Sequence, residues 1–449
     1  MSGYQSRVRR VEPRLKIILK MKIVTSRHWS SAVMLAAIFS ISQAHAIAPT
    51  SDDVSLTESE ALALFYQRNL DLIAAHYQIA QSQAQEIIAS AIPNPVFSLN
   101  VLELDGSGHL GNDGAGPGVG IGVTQLLETA GKRHLRQASS ALGTQSAEED
   151  LRDATRTLTA AVRRAYYALV LAQKNAEVAQ DAVHQYTRIV SVNELRLKHG
   201  DIAQSDLWRL KVEAFKAEAD RITVTAARDK ARADLASLLR WPSDAMHFVA
   251  RMAWPVAHEA VMEDADTLIS QALDKRPDLA AARKRTEQAT QEFKLAKHRA
   301  VPDITIGAGF VHDINNLNQD TANLSISVPL PLFYHNQGEI QKSSISLTTA
   351  ELQVQQLEQS IRQEVINDRT AWQGAEAIAR GFETDALKQV QAIRVGAEQS
   401  YLKGASTILD FLDAQRNYRE VMQEYQTTLF NRTVAGIDLQ TALGLEGKQ

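Results

Sequence analysis

Apolar residues recur along this chain in two rhythms. Over residues 57–92, 132–198 and a return segment ending near Leu239 they come back every three or four positions, the spacing of one helix face. The same succession follows over 265–299, 338–402 and 406–443. Between the first and second helix of each set the rhythm changes to strict alternation. Phe97, Leu99 and Val101 alternate with Ser98 and Asn100, and Val119, Ile121 and Val123 with Gly120, Gly122 and Thr124. Further on, Ile304, Ile306, Ala308 and Phe310 alternate with Thr305, Gly307 and Gly309, and Leu324, Ile326 and Val328 with Asn323, Ser325 and Ser327. These four segments read as short strands with one apolar face. Turns fall at His199-Gly200-Asp201 and Lys403-Gly404-Ala405, where glycine is suited to end a helix.

The two sets are copies. A shift of 207 positions pairs Asp71-Leu72 with Asp278-Leu279, Ala74-Ala75 with Ala281-Ala282, Pro95 with Pro302 and Gly131 with Gly338. Nearer the second turn the shift is 204, pairing Gly200 with Gly404, Asp206 with Asp410 and Leu235 with Leu439, so the second copy has lost three residues. A period this long marks a duplicated domain rather than a solenoid. The expected organisation is a first repeat at 47–240, a linker at 241–264 and a second repeat at 265–449. The linker, with Pro242, Trp254 and Pro255, is expected to form a small irregular belt. Some 67 helical residues would extend about 100 Å, too far to be wrapped inside one globular domain. Such helices must pack lengthwise on neighbours, as a coiled coil or helical barrel.

Ahead of the repeats, Arg27 and His28 precede the apolar run 32–41 and then Ala44-His45-Ala46, the order of an export signal with its cleavage site. Residues 1–46 are read as a Sec signal peptide, with 1–20 as a start-site extension before Met21. The chain's formal net charge of −4 includes eight Lys/Arg and one Glu in that segment, so the exported protein would carry −11. Nucleic acid is excluded as a partner on that charge. The chain holds no cysteine, which removes disulfides, thiolate metal sites and an N-terminal lipid anchor.

After residue 47 no apolar run reaches the 18 or so residues of a membrane-spanning helix. Entry into a membrane must then be through a β-barrel. One face of each alternating segment suits lipid and the other a wet lumen, and the Gly/Asn-rich stretches 105–118 and 312–322 suit exposed outer loops. A soluble sheet wetted on one face would alternate in the same way. Four strands cannot close a membrane barrel, which needs about eight. They must be pooled between subunits, and three copies would supply about twelve.

The whole expected mature chain resembles the TolC-like outer-membrane efflux proteins. The stretches that carry the resemblance are GASTILDFLDAQRNY from Gly404, its counterpart KHGDIAQSDLWRLK from Lys198, RPDLAAA from Arg276, and the prolines Pro95 and Pro302. QLLETAGKRHLR from Gln125, after PNP from Pro93, resembles the heavy-metal branch, the outer-membrane components of cobalt–zinc–cadmium exporters. The resemblance implies a mainly α fold with a β-barrel portion: a homotrimer whose outer-membrane barrel continues into a periplasmic α-helical tunnel. It implies as partners a periplasmic membrane-fusion adaptor, an inner-membrane RND pump and outer-membrane lipid. It implies no enzyme activity and no cofactor.

By the same resemblance Asp410 and Asp413, three apart on one helix face, match a carboxylate ring at the periplasmic constriction. Such a ring would narrow the pore and draw cations. Asp206 and Tyr401 match an inter-helix hydrogen bond that locks the tips. Relatives that complete the lock with an arginine have it where this chain has Ser406. Gly200, Asp201, Gly404 and Ser406 lie where adaptor tips would dock. A local reading competes: an acid in a helix's first turn complements the macrodipole, and Ser406 or Thr407 could cap that helix. Twelve histidines form no HxH or HxxxH pair after the signal segment, and His199, His312 and His335 read as solvated surface. The alternating glycines 114–122 do not make a dinucleotide motif, and no catalytic constellation is present. Two other functions stay open, a duct for drugs or secreted proteins on the same fold and a periplasmic coiled-coil scaffold without a pore.

Overall fold

The computed structural model describes residues 54–102, 118–242, 248–251, 253–255, 264–313 and 319–445. The expected signal segment, 1–46, the stretch 105–117 and much of the expected linker lie outside them. The described residues all fall in the unit 51–449.

Each copy contributes helix, two strands, long helix and return helix, with the first helix broken in both. α1 (Glu58–Arg68) and α2 (Leu70–Ser90) meet at Asn69, and α5 (Ala265–Lys275) and α6 (Pro277–His298) meet at Arg276. The sequence pattern predicted one continuous helix at each place. Asn69 is extended (φ −70°, ψ 124°), and its Oδ1 accepts from the N–H groups of Asp71 (2.9 Å) and Leu72 (3.1 Å), capping α2. Arg276, 207 positions later, has nearly the same backbone (φ −70°, ψ 123°), and Pro277 opens the next helix at a position where its missing N–H costs nothing. A single extended residue leaves the apolar period intact on both sides, which is why periodicity does not show it.

α3 (Lys132–His199) runs 68 residues, about 100 Å, and α4 (Gln204–Leu238) returns along it. The second copy's long helix is not continuous as expected. α7 (Gln337–Gly381) passes through a π-helical turn, Phe382–Ala386, into α8 (Leu387–Leu402), and α9 (Ile408–Ala442) returns. Burial shows what the turn does. The buried Val365 and Glu376 stand 203 positions after the buried Val162 and Gln173, whereas Gly404 stands 204 after Gly200. One residue has entered between them, and a π turn is how a helix absorbs one. Thr384 Oγ1 donates to the carbonyl of Arg380 (2.7 Å) within it, and Phe382 packs on Tyr425 of α9.

β2 (Val96–Leu102), β3 (Gly118–Leu127), β5 (Ile304–Asp313) and β6 (Gln319–Ser327) form one antiparallel sheet in that order, so the two copies meet at β3–β5. At the foot of this junction Lys132 Nζ reaches Asp303 (2.7 Å), and Thr129 Oγ1 donates to the carbonyl of Pro302 (2.7 Å). The helices hang beneath the strands in the same order, α2 on α3, α3 on α6 and α6 on α7. Midway along the helices a second sheet, not foreseen in sequence, pairs β1 (Val54–Leu56) in parallel with β4 (Phe248–Ala250). Phe65, Val162, Leu169, Leu235 and Phe248 are buried together there, with Trp241 and Trp254 at the margin. No helix among the described residues is long and apolar enough to cross a membrane.

Candidate functional site

Two ends of the molecule carry the functional geometry. At the sheet end, register turns four separate alternations into one surface. Phe97 faces Val123, which faces Ala308, which faces Leu324; one step along, Leu99, Ile121, Phe310 and Ala322 align. This face is apolar from edge to edge and exposed, Leu324 by 89%. The opposite face carries Ser98, Asn100, Thr124, Asn323 and Ser325 around a column of glycines. A Cβ on Gly309 would stand 2.5 Å from Asn323 Oδ1, and one on Gly307 2.5 Å from Ser325 Oγ, so these two positions admit only glycine without a shift. Among the described residues the outer edges of β2 and β6 have no strand partner in the sheet. An apolar face with two open edges suits a barrel wall that other strands complete. Beneath β6, prolines 329 and 331 stop the strand, leaving Leu330, Leu332, Phe333 and Tyr334 exposed, a patch the sequence reading passed over.

At the far end, both long helices finish in the same way. Gly200 is left-handed (φ 82°), its N–H bonds to the carbonyl of Leu197 (3.0 Å), and the N–H of Asp201 bonds to that of Arg196 (2.9 Å). Gly404 (φ 74°) and Ala405 repeat this with Tyr401 (3.0 Å) and Ser400 (2.8 Å). Both turns are Schellman motifs. Asp201 is exposed, and Ser406 is partly buried with its Oγ lacking a hydrogen-bond partner.

Asp410 is exposed and occupied locally. Its Oδ2 accepts from the N–H of Thr407 (2.9 Å) and from Thr407 Oγ1 (2.7 Å), while the N–H of Asp410 donates to Oγ1 (3.2 Å), a reciprocal capping box. These bonds from the Thr407 hydroxyl and backbone hold its carboxyl below the usual range. The cap is therefore Thr407 rather than Ser406. Asp413 lies one turn on, also exposed, and the two acids flank a groove of about 630 Å³ between α4 and α9, with Trp208, Arg209, Glu213 and Arg416.

Asp206 and Tyr401 do not hydrogen-bond to each other. Tyr401 donates to Asn193 Oδ1 of α3 (2.7 Å), and Asn193, fully buried, donates from Nδ2 to the carbonyl of Ile189 (2.8 Å). Tyr401 stacks on Phe411 at 5.3 Å, and burial pushes its hydroxyl up. Asp206 instead lies 3.8 Å from Arg209. Asn193 is the residue the sequence reading missed. Tyr186, Ile189, Leu210, Tyr401 and Phe411 form one buried cluster that joins four helices at the tip, and two of its members, Tyr401 and Ile189, hydrogen-bond to Asn193.

The "Outer membrane efflux protein" family model matches residues 61–239 and again 268–445, one match in each copy. The chain is 23% identical to the cobalt-zinc-cadmium resistance protein CzcC of Cupriavidus metallidurans over 389 residues, 87% of this chain and 90% of that protein. It is 22% identical to the pyoverdine export outer membrane protein OpmQ of Pseudomonas putida, covering 83% of each. Among solved structures, the Campylobacter jejuni CmeC outer membrane channel superposes with a TM-score of 0.74 at 14% identity, covering 86% of this chain and 85% of that one.

Proposed function

As this chain belongs to the outer membrane efflux protein family, we propose that it is the passive exit duct of a tripartite system exporting divalent heavy-metal cations. An outer-membrane efflux channel is what the family makes of this fold; the cargo, the three-copy assembly and the partners are the proposal. The observation that carries it is the sheet. It has one lipid-compatible face, one polar face lined with glycine, and two open edges above helices about 100 Å long. Three copies closing edge to edge give twelve strands, enough for a wet lumen. An adaptor docks at the Gly200 and Gly404 turns, and an inner-membrane RND pump supplies the energy. At the tip Asp413 and the free oxygen of Asp410 provide a carboxylate ring, and the Tyr401–Asn193 bond holds the long helices together when it is shut. A duct needs no catalytic group.

Likeness to CzcC supports the metal reading, and likeness to OpmQ supports a second, an organic cargo. A deletion strain separates them. Sensitivity to zinc, cobalt or cadmium, restored by the cloned gene, is expected. Sensitivity only to detergents, dyes or siderophores would replace the metal by an organic cargo. A wild-type response to both classes would remove the export role.

A further inference from the structure

We propose that the π turn Phe382–Ala386 is a bending joint, at which α8 and the tip half of α9 swing as one arm against a straight α3. This rests on the proposed duct and adds where its helical wall gives. The joint is read from the contrast between two copies of one helix. The buried Gln173 and Tyr186 of α3 stand thirteen residues apart, whereas their buried counterparts Glu376 and Val390 stand fourteen apart. The extra residue produces the π turn, and sharp bends in long helices fall at such turns. Thr384, by donating to the carbonyl of Arg380 (2.7 Å), adds a side-chain bond of the kind that bends helices.

Glycine marks the same stretch independently. Gly374, Gly381 and Gly396 lie inside the helix, and beyond their own turns no atom stands within 4 Å of where a Cβ would be. Nothing in the chain's packing calls for them, yet each weakens the helix. Their counterparts in α3 are Leu171, Val178 and Val192. The single glycine inside α3, Gly143, has a packing reason, since its Cβ position is 3.5 Å from Gln288 of α6. Above the joint the second copy is fixed: Arg276 holds Glu364 of α7 (2.7 Å) and the carbonyl of Ala442 at the end of α9 (3.2 Å). Below it the hold on α3 is lighter. Only Val390 and Tyr401 of α8 are buried, and α8 reaches α3 through side chains, Arg394 to Asp181 (3.0 Å), Glu398 to Arg188 and Tyr401 to Asn193 (2.7 Å). At the turn itself α8 is pinned to α9. Phe382 packs on Tyr425, and Arg432 lies 3.7 Å from Glu376 above the turn and 3.4 Å from Glu383 within it. The two helices therefore move together, α8 by kinking and the continuous α9 by curving. Bending carries Tyr401 and Phe411 away from Asn193 and Leu210.

Deleting Thr384 restores the spacing of α3, so the helix can run as α through the turn with the residues on either side in their present phase. Purified full-length protein in detergent is followed by amide exchange, peptide by peptide, and by planar-bilayer recording. In the native chain α8 should exchange faster than residues 183–198, its counterpart in α3. The deletion should remove that excess along the whole of α8, as far as Tyr401, and make excursions to higher conductance rarer while the resting conductance stays the same. A turn that only absorbs an extra residue predicts slower exchange at 382–386 alone, with α8 as in the native chain, and that result would overturn the joint. So would a native α8 that exchanges no faster than 183–198. The second arm, Gly374→Ala with Gly381→Ala and Gly396→Ala, leaves every residue in place. Each replacement should slow local exchange by about two- to fivefold, the ratio that glycine's helix cost corresponds to, and the three together should slow α8 as the deletion does. Unchanged exchange along α8 would count against the joint. Channels absent from native and variant alike would defeat the duct, while the exchange comparison still decides the joint.

Discussion

The two copies reach one backbone by different chemistry. In the first, the break between the opening helices is settled locally, by the Asn69 side chain on the two N–H groups that follow it. In the second, Arg276 is buried and connects three elements: it pairs with Asp278 (2.7 Å) and Glu364 (2.7 Å) and donates to the carbonyl of Ala442 (3.2 Å). Arg156 of α3 is buried beside it, 3.9 Å from Asp278. At the tip the contrast recurs. Helix α9 begins with the Thr407–Asp410 capping box, while α4 begins at Ala203 with no side-chain cap, although Asp206 already stands at the position that Asp410 fills. The long helix is continuous in the first copy and carries a π turn in the second. At these places the second copy has the stronger polar fastening, whereas at the start of the opening helices the order reverses: α1 begins with a Thr57–Glu60 capping box and α5 has no side-chain cap.

The largest test of that difference removes the two break residues. Arg276→Ala leaves Glu364 unpaired and Asp278 with only Arg156 at 3.9 Å, and should cost about 3 kcal/mol, while Asn69→Ala loses one cap at about 1 kcal/mol. Denaturant unfolding in detergent should rank them in that order; equal losses would erase the contrast. Next, Tyr401→Phe leaves the buried Asn193 oxygen without its donor, a loss of about 1–3 kcal/mol. Amide exchange should quicken at the tip and not around Phe65 and Phe248.

Smaller again is an exchange of caps. Thr407→Ala should destabilise by about 1 kcal/mol, and Ala203→Thr should stabilise, by completing with Asp206 the box that the second copy already has. No gain from Ala203→Thr would mean that the first tip is not short of a cap.

An effect that depends on pH is expected at Asp368 of α7. Burial, with Asp438 and Glu364 nearby, pushes its carboxyl up to about 6. An acid raised in the folded state binds its proton more tightly there than when unfolded. It therefore favours folding at low pH, and stability drains as pH rises from about 4 to 6. Asp368→Asn should raise the melting temperature at pH 7.5 and leave it nearly unchanged at about pH 3.5, below the unfolded carboxyl's range.

The long helices, their glycine turns and the four strands were legible because each has a period that side-chain burial imposes on sequence. The break at Asn69 was not, since it disturbs no period; the break at Arg276 was signalled by Pro277, which favours a helix start, although the apolar period runs through it. The π turn was hidden because one extra residue in a long polar helix looks like any other. Thr407 and Asp410 stand in the open spacing of a capping box, so the local reading of Asp410 could be made from sequence. Asn193 could not, because a buried asparagine reads as surface until its partner, more than two hundred residues away, is found. Asp206 and Tyr401 were singled out by resemblance, and the chain itself gives Tyr401 a different partner.

The central claim is a pore narrowed by carboxylates at its helical tip. Planar-bilayer recording of the purified protein tests it most directly, comparing the native chain with the Asp410→Ala, Asp413→Ala double variant, in the presence and absence of divalent cations. Discrete channels are expected, with higher conductance or weaker divalent block in the variant. Channels identical in both respects would contradict the constriction, and no channels from a confirmed trimer would contradict the duct itself.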